Sequence, residues 1–80
     1  MQHTLELVKM AIDLNQLLLD KKESIMNERV WNVYDEGKEI NVRKYISGFE
    51  KSIESAVPTA ETVSGFRKDF ESIKCDINSL

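Results

Sequence analysis

The chain has 80 residues, of which 41% are hydrophobic and 31% charged, and its 11 basic and 14 acidic residues give a net charge of −3. This length fits one small domain over residues 1–80 and excludes a second domain or a deep, enclosed active site. The chain has one histidine and one cysteine. These are too few for a metal site built from histidine and cysteine ligands, and a single cysteine excludes an internal disulfide.

The first predicted element is a long amphipathic helix over about residues 4–28. Polar residues recur at spacings of three and four and trace one stripe along it: Gln2, Glu6, Lys9, Asp13, Gln16, Asp20, Ser24 and Asn27. The remaining apolar arc is roughly 200° wide, against the ~100° of an ordinary surface helix. We therefore expect this helix to be covered from two sides, either by two helices or by one helix and a second subunit.

The segment at about 29–42 admits two interpretations, of which the first is a small β-hairpin. Residues 30–34 are β-branched and aromatic apart from one asparagine, and residues 35–38 form a typical turn sequence. A hairpin here would make the fold α+β.

The second interpretation, which we favour, continues helix 1 to about residue 34. Met26, Val30 and Val33 keep helical spacing, and Gly37 would then cap the helix C-terminus. An isolated two-stranded hairpin is also only marginally stable in water.

The next predicted helix covers residues 41–57. Asn41 would be its N-cap, with Ile40 and Tyr45 forming a hydrophobic staple across the start. Apolar residues then recur at spacings of three and four, as a half-buried helix requires.

The third predicted helix follows the break at Pro58, with Thr59 as N-cap and Glu61 in the first turn. Its apolar residues form a heptad seam: Val63, Phe66, Phe70, Ile73, Ile77 and Leu80. The fold class predicted from the three segments is all-α, with a long first helix packed on a helical hairpin. The seam belongs either to the core of this domain or to an intermolecular contact.

The second and third helices share a short sequence echo, because residues 47–55 and 64–72 match at most positions. Gly48 and Gly65 are equivalent in the two copies, and each would cost its helix about 1 kcal/mol relative to alanine. We interpret both glycines as candidate sites of close packing against another backbone or aromatic ring.

No motif for catalysis, phosphate binding or cofactor binding is present. The single histidine, His3, lies near the chain start, and Cys75 has no histidine beside it in the sequence. We therefore expect a non-enzymatic protein without a cofactor.

Charge and hydropathy limit the compartment and the partners. The longest apolar run is three leucines at 17–19, which predicts no membrane span, and the first residues show no signal-peptide pattern. With a single cysteine, the expected compartment is the cytoplasm. The net charge has the wrong sign for the basic footprint that is typical of nucleic-acid binding.

A candidate interface lies at the end of helix 1. If the helix continues, Trp31 and Tyr34 extend its polar stripe, and Trp and Tyr are common interface anchors. A helix over about residues 3–35 would be roughly 48 Å long, whereas the other two would be roughly 24 and 30 Å, so one end would project. The residues predicted for this interface are Met26, Val30, Trp31, Val33 and Tyr34.

The sequence therefore favours a small cytoplasmic interaction module that forms a homodimer. It would bind a larger protein as an adaptor, chaperone or inhibitor. One alternative is a dimeric helical nucleic-acid-binding regulator that uses Arg43, Lys44, Arg67 and Lys68. Another is a structural subunit that assembles through the seam of the third helix.

Overall fold

A computed structural model describes residues 2–28 and 35–80 and shows an all-α fold. Its helices are α1 (Gln2–Glu28), α2 (Glu36–Ser55) and α3 (Ala60–Asn78). Over the described ranges there is no strand, and α1 packs on both α2 and α3. The predicted architecture, a long helix on a helical hairpin, is confirmed.

The start of α2 differs from both interpretations of the segment at 29–42. Residues 36–42 are helical, so the return strand of the predicted hairpin is wrong. Gly37 lies in the first turn of α2, which excludes its predicted role as C-cap of the first helix. The remainder of the segment, residues 29–34, lies outside the described residues.

Asp35, not Asn41, caps the N-terminus of α2. The Asp35 backbone is extended, and its side chain accepts a hydrogen bond from the backbone N–H of Lys38 at 3.2 Å. Glu36 and Glu39 place negative charge in the first turn, where the helix dipole favours it. Asn41 is therefore an exposed residue inside the helix, and the predicted staple at the helix start is wrong.

The start of α3 is as predicted. The Thr59 hydroxyl accepts a hydrogen bond from the backbone N–H of Thr62 at 3.2 Å, and Glu61 lies in the first turn. Ala56 ends α2 with an extended backbone. The helix thus stops before Val57, the residue that Pro58 would drive out of the helical region.

The core lies where the three helices meet. The side chains buried there include Leu14 of α1, Ile46 of α2 and Ile77 of α3. Four residues of the predicted α3 seam are buried in this core, and the other two pack against it: Val63, Phe70, Ile73 and Ile77, then Phe66 and Leu80. Most of the seam therefore belongs to the chain's own core, and assembly of other copies through its partly exposed residues stays a prediction.

Candidate interaction surfaces

Five large apolar side chains of α1 face solvent. We call this set the α1 stripe; its members are Leu5, Val8, Ile12, Leu19 and Met26. Each is between 43% and 66% exposed, while Leu7, Leu14 and Leu18 on another side of the same helix are almost fully buried. A contiguous apolar patch that stays exposed to solvent is typical of an interaction surface, whereas single exposed apolar residues are not.

Four members of the α1 stripe recur at every seventh residue, from Leu5 through Ile12 and Leu19 to Met26. An α-helix has 3.6 residues per turn, so a strict seven-residue repeat drifts around a straight helix by about 20° per heptad. A second helix follows that drift when it crosses in a left-handed supercoil. The spacing therefore suits a helix, rather than a flat surface, as the neighbour of the α1 stripe.

A shallow apolar groove separates the α1 stripe from α2. Its volume is about 420 Å³, and its walls include Ile12 and Leu19 on one side and Ile53 on the other. Ile53 is only partly buried in the described structure. Side chains of a neighbouring helix could enter this groove and contact both α1 and α2.

A polar contact joins the two sides of that groove. The side-chain amide of Asn15 donates hydrogen bonds to the backbone oxygen of Ala11 and to Oε1 of Glu50, both at 2.9 Å. Because Glu50 belongs to α2, this contact holds the stripe side of α1 in register with α2.

A second concave surface, which we call the α2–α3 trough, lies between the two shorter helices. Its volume is about 500 Å³, and its floor includes Phe49, Phe66 and Ile73. Asp69 and Asp76 line its α3 side. No α1 residue lines it, so the trough and the α1 stripe are separate surfaces.

The trough extends toward the C-terminus of α3. A further hollow of about 290 Å³ shares Tyr45 and Asp76 with it and reaches Asn41 and Ser79. From Phe66 to Ser79 the surface follows α3 for ~20 Å, the length of a 13-residue helix. The exposed ring of Tyr45 stands where the two hollows meet.

The structure brings one residue of the predicted interface into a described surface. Met26 is 52% exposed and forms the C-terminal end of the α1 stripe. Val30, Trp31, Val33 and Tyr34 lie outside the described residues, so their part of that interface stays a prediction.

The two echoed glycines have no close neighbour among the described residues. A Cβ atom built on Gly48 or Gly65 would meet nothing within 4 Å, so the close packing predicted there is not found within the described residues. Gly48 lines the α2–α3 trough and keeps one side of it open, whereas Gly65 does not line it. Sequence reasoning thus noticed Gly48 but assigned it contact instead of open space.

Of the basic residues considered for nucleic-acid binding, Arg43 has an acidic partner in its own helix. Its Nε lies 3.2 Å from Oε2 of Glu39, and Nζ of Lys22 lies 3.1 Å from Oε1 of the same carboxylate. The Lys22 pair joins α1 to α2, and both pairs reduce the positive field at that end of the molecule.

The described ranges contain no group of three or more histidine, cysteine, aspartate or glutamate side chains that could hold a metal ion. Cys75 is exposed and has a free thiol. None of the helices over residues 2–28 and 35–80 is long and apolar enough to cross a membrane. The surfaces that remain as candidates are the α1 stripe and the α2–α3 trough.

Comparison with known proteins found no matching family model, no matching curated protein and no matching solved structure.

Proposed function

We propose that this chain is a small protein-interaction module that works as a homodimer, with the α1 stripe as the dimer face. The observation that carries the proposal is the seven-residue repeat of exposed Leu5, Ile12, Leu19 and Met26 on a helix whose other apolar side is buried. As an adaptor, chaperone or inhibitor, the dimer would present its remaining surface to a larger protein.

The exposed area is adequate for a two-fold contact. At their exposed fractions, the five side chains of the α1 stripe present on the order of 500 Å² of apolar surface per protomer. A two-fold contact would then bury ~1,000 Å² before its polar border is counted, which is the minimum area of a specific interface. A two-fold contact uses the same patch on both subunits, so one self-complementary stripe is sufficient.

Polar residues border the stripe as a dimer rim requires. Lys9 and Gln16 are exposed along one side of it, and Asn15 holds the other side to α2 through Glu50.

The free thiol of Cys75 suits a reducing compartment, so we place the module in the cytoplasm.

Sedimentation equilibrium tests the dimer. The wild-type chain should sediment at twice its single-chain mass of 9.2 kDa. The double variant Ile12→Glu with Leu19→Glu should sediment at the single-chain mass and retain its helicity. The matched control is Ser24→Glu with Asn27→Glu, which adds the same two charges to exposed positions of α1 outside the stripe. The control should remain dimeric.

Two results would contradict this assignment. One is a wild-type chain that keeps the single-chain mass at millimolar concentration. The other is a dimer that survives the pair of substitutions within the α1 stripe.

A further inference from the structure

The α2–α3 trough has an apolar floor that residues 2–28 and 35–80 leave open. Phe49 and Ile73 are buried beneath it, and the ring of Phe66 is partly exposed to it. Above Gly48 there is open space, because a Cβ atom there would meet nothing within 4 Å. A side chain from another molecule could therefore reach the aromatic floor beside this glycine.

The α3 side of the trough is acidic, whereas Lys44 lies on its α2 side and Lys38 lines the extension. Asp69 and Asp76 are exposed and lie seven residues apart, which is ~10 Å along the helix. Within residues 2–28 and 35–80, neither carboxylate has a hydrogen-bond or ion-pair partner. Two unpaired carboxylates beside an apolar floor favour a ligand with apolar side chains and with basic side chains on the flank that faces α3.

The shape of the trough favours a helix as that ligand. Two packed helices form a groove along their common edge that accepts the side-chain ridge of a third helix. The trough and its extension past Tyr45 run for ~20 Å along α3, enough for about four helical turns. An extended strand would find no sheet edge here, because the described residues form helices only.

We propose that the α2–α3 trough binds an amphipathic helix of a partner protein, with apolar side chains on Phe49 and Phe66 and lysine or arginine side chains opposite Asp69 and Asp76. This proposal rests on the proposed function, since it names the surface that the interaction module offers to its partner. The trough contains no α1 residue, so dimerisation through the α1 stripe leaves it open.

The probes are two synthetic amphipathic peptides of about 16 residues, long enough to span the trough when helical. The first carries leucine along one face and lysine at two flanking positions seven residues apart, and the second carries glutamate at those two positions. Isothermal titration of each into the full chain measures the dissociation constant. The lysine peptide should bind about tenfold or more tightly than the glutamate peptide, because two exposed ion pairs replace two repulsive ones.

Two variants test the floor of the trough. Gly48→Leu fills the open space beside Phe49 and should abolish binding of the lysine peptide. Gly65→Leu is the matched control, because Gly65 also lies inside a helix with nothing within 4 Å but does not line the trough. Both variants gain helix propensity, so a loss of binding confined to Gly48→Leu reports on the trough and not on folding.

A third variant tests the acidic side. Asp69→Asn with Asp76→Asn should weaken the lysine peptide about threefold and remove its advantage over the glutamate peptide. Sedimentation of the same samples separates this proposal from the dimer, since the trough variants should leave the mass unchanged.

Four results would overturn the proposal. They are no binding of the lysine peptide at millimolar concentration, equal binding of the two peptides, undiminished binding to Gly48→Leu, and dissociation of the dimer by Gly48→Leu. The last result would assign the trough to a second copy of the chain.

Discussion

Phe49 of α2 and Phe66 of α3 meet edge to face, with ring centroids 5.4 Å apart and ring planes at 82°. The pair joins the two arms of the helical hairpin. It also links the core to the surface, because Phe49 is buried whereas Phe66 remains partly exposed in the α2–α3 trough. The same contact therefore stabilises the hairpin and shapes the floor of the proposed docking surface.

Removing either ring should destabilise the fold, and the two effects should not add. We expect Phe49→Leu and Phe66→Leu each to lower the free energy of unfolding by about 1–2 kcal/mol, with the larger loss at the buried Phe49. An edge-to-face pair contributes a further coupling of about 0.5–1.5 kcal/mol. Urea denaturation of both single variants and the double variant, at one protein concentration, measures that coupling. Strict additivity would show that the ring contact contributes nothing of its own.

The sequence was sufficient for the parts of the fold that have strong local signals. Thr59 after Pro58 located the start of α3, and spacings of three and four located its core seam, because capping and burial pattern agree there. The start of α2 was predicted wrongly because three other signals lie close to Asp35. They are the turn sequence at 35–38, Gly37 as a helix C-cap and Asn41 as a helix N-cap. Asp35 with two glutamates in the following turn is the stronger N-terminal signal, and the structure follows it.

The candidate surfaces could be predicted only in part. The excessive apolar arc of α1 indicated that some apolar residues would remain uncovered. It did not show which, because the exposed side depends on where α2 and α3 pack around α1. Gly48 drew attention as a helical glycine, but the trough beside it arises from the packing of two helices, which spacing within one helix does not reveal.

The N-cap of α2 should contribute measurably to stability. Asp35→Ala removes the acceptor of the Lys38 backbone N–H and should lower the free energy of unfolding by about 0.5–2 kcal/mol. Asp35→Asn is the control, since asparagine keeps a side-chain acceptor and should lose much less. Thermal melts followed by circular dichroism give both values. Equal losses in the two variants would attribute the effect to the negative charge instead of the hydrogen bond.

The ion pair between α1 and α2 should be weak and salt-sensitive. The Glu39 side chain is 14% exposed and that of Lys22 is 32% exposed. Glu39→Gln removes the pairs with both Lys22 and Arg43, so it should cost about 0.5–1 kcal/mol at low ionic strength and less in 1 M sodium chloride. The matched change Glu71→Gln removes a carboxylate on α3 that has no ion pair within the described ranges, and it should have almost no effect. Urea denaturation at two salt concentrations compares them. A loss at Glu39 that salt does not reduce would argue against an electrostatic contribution.

Alanine at the three glycines should give opposite results according to the space around each one. Gly48 and Gly65 lie inside helices with nothing within 4 Å, so Gly48→Ala and Gly65→Ala should each raise the free energy of unfolding by about 1 kcal/mol. At Gly37 a Cβ atom would lie 3.1 Å from Oδ1 of Asp35, so Gly37→Ala should disturb the cap and gain little or lose stability. Urea denaturation of the three variants measures this order. Destabilisation by Gly48→Ala or Gly65→Ala would mean that another chain already packs against that glycine in solution, and sedimentation of the same variant would then show a loss of mass.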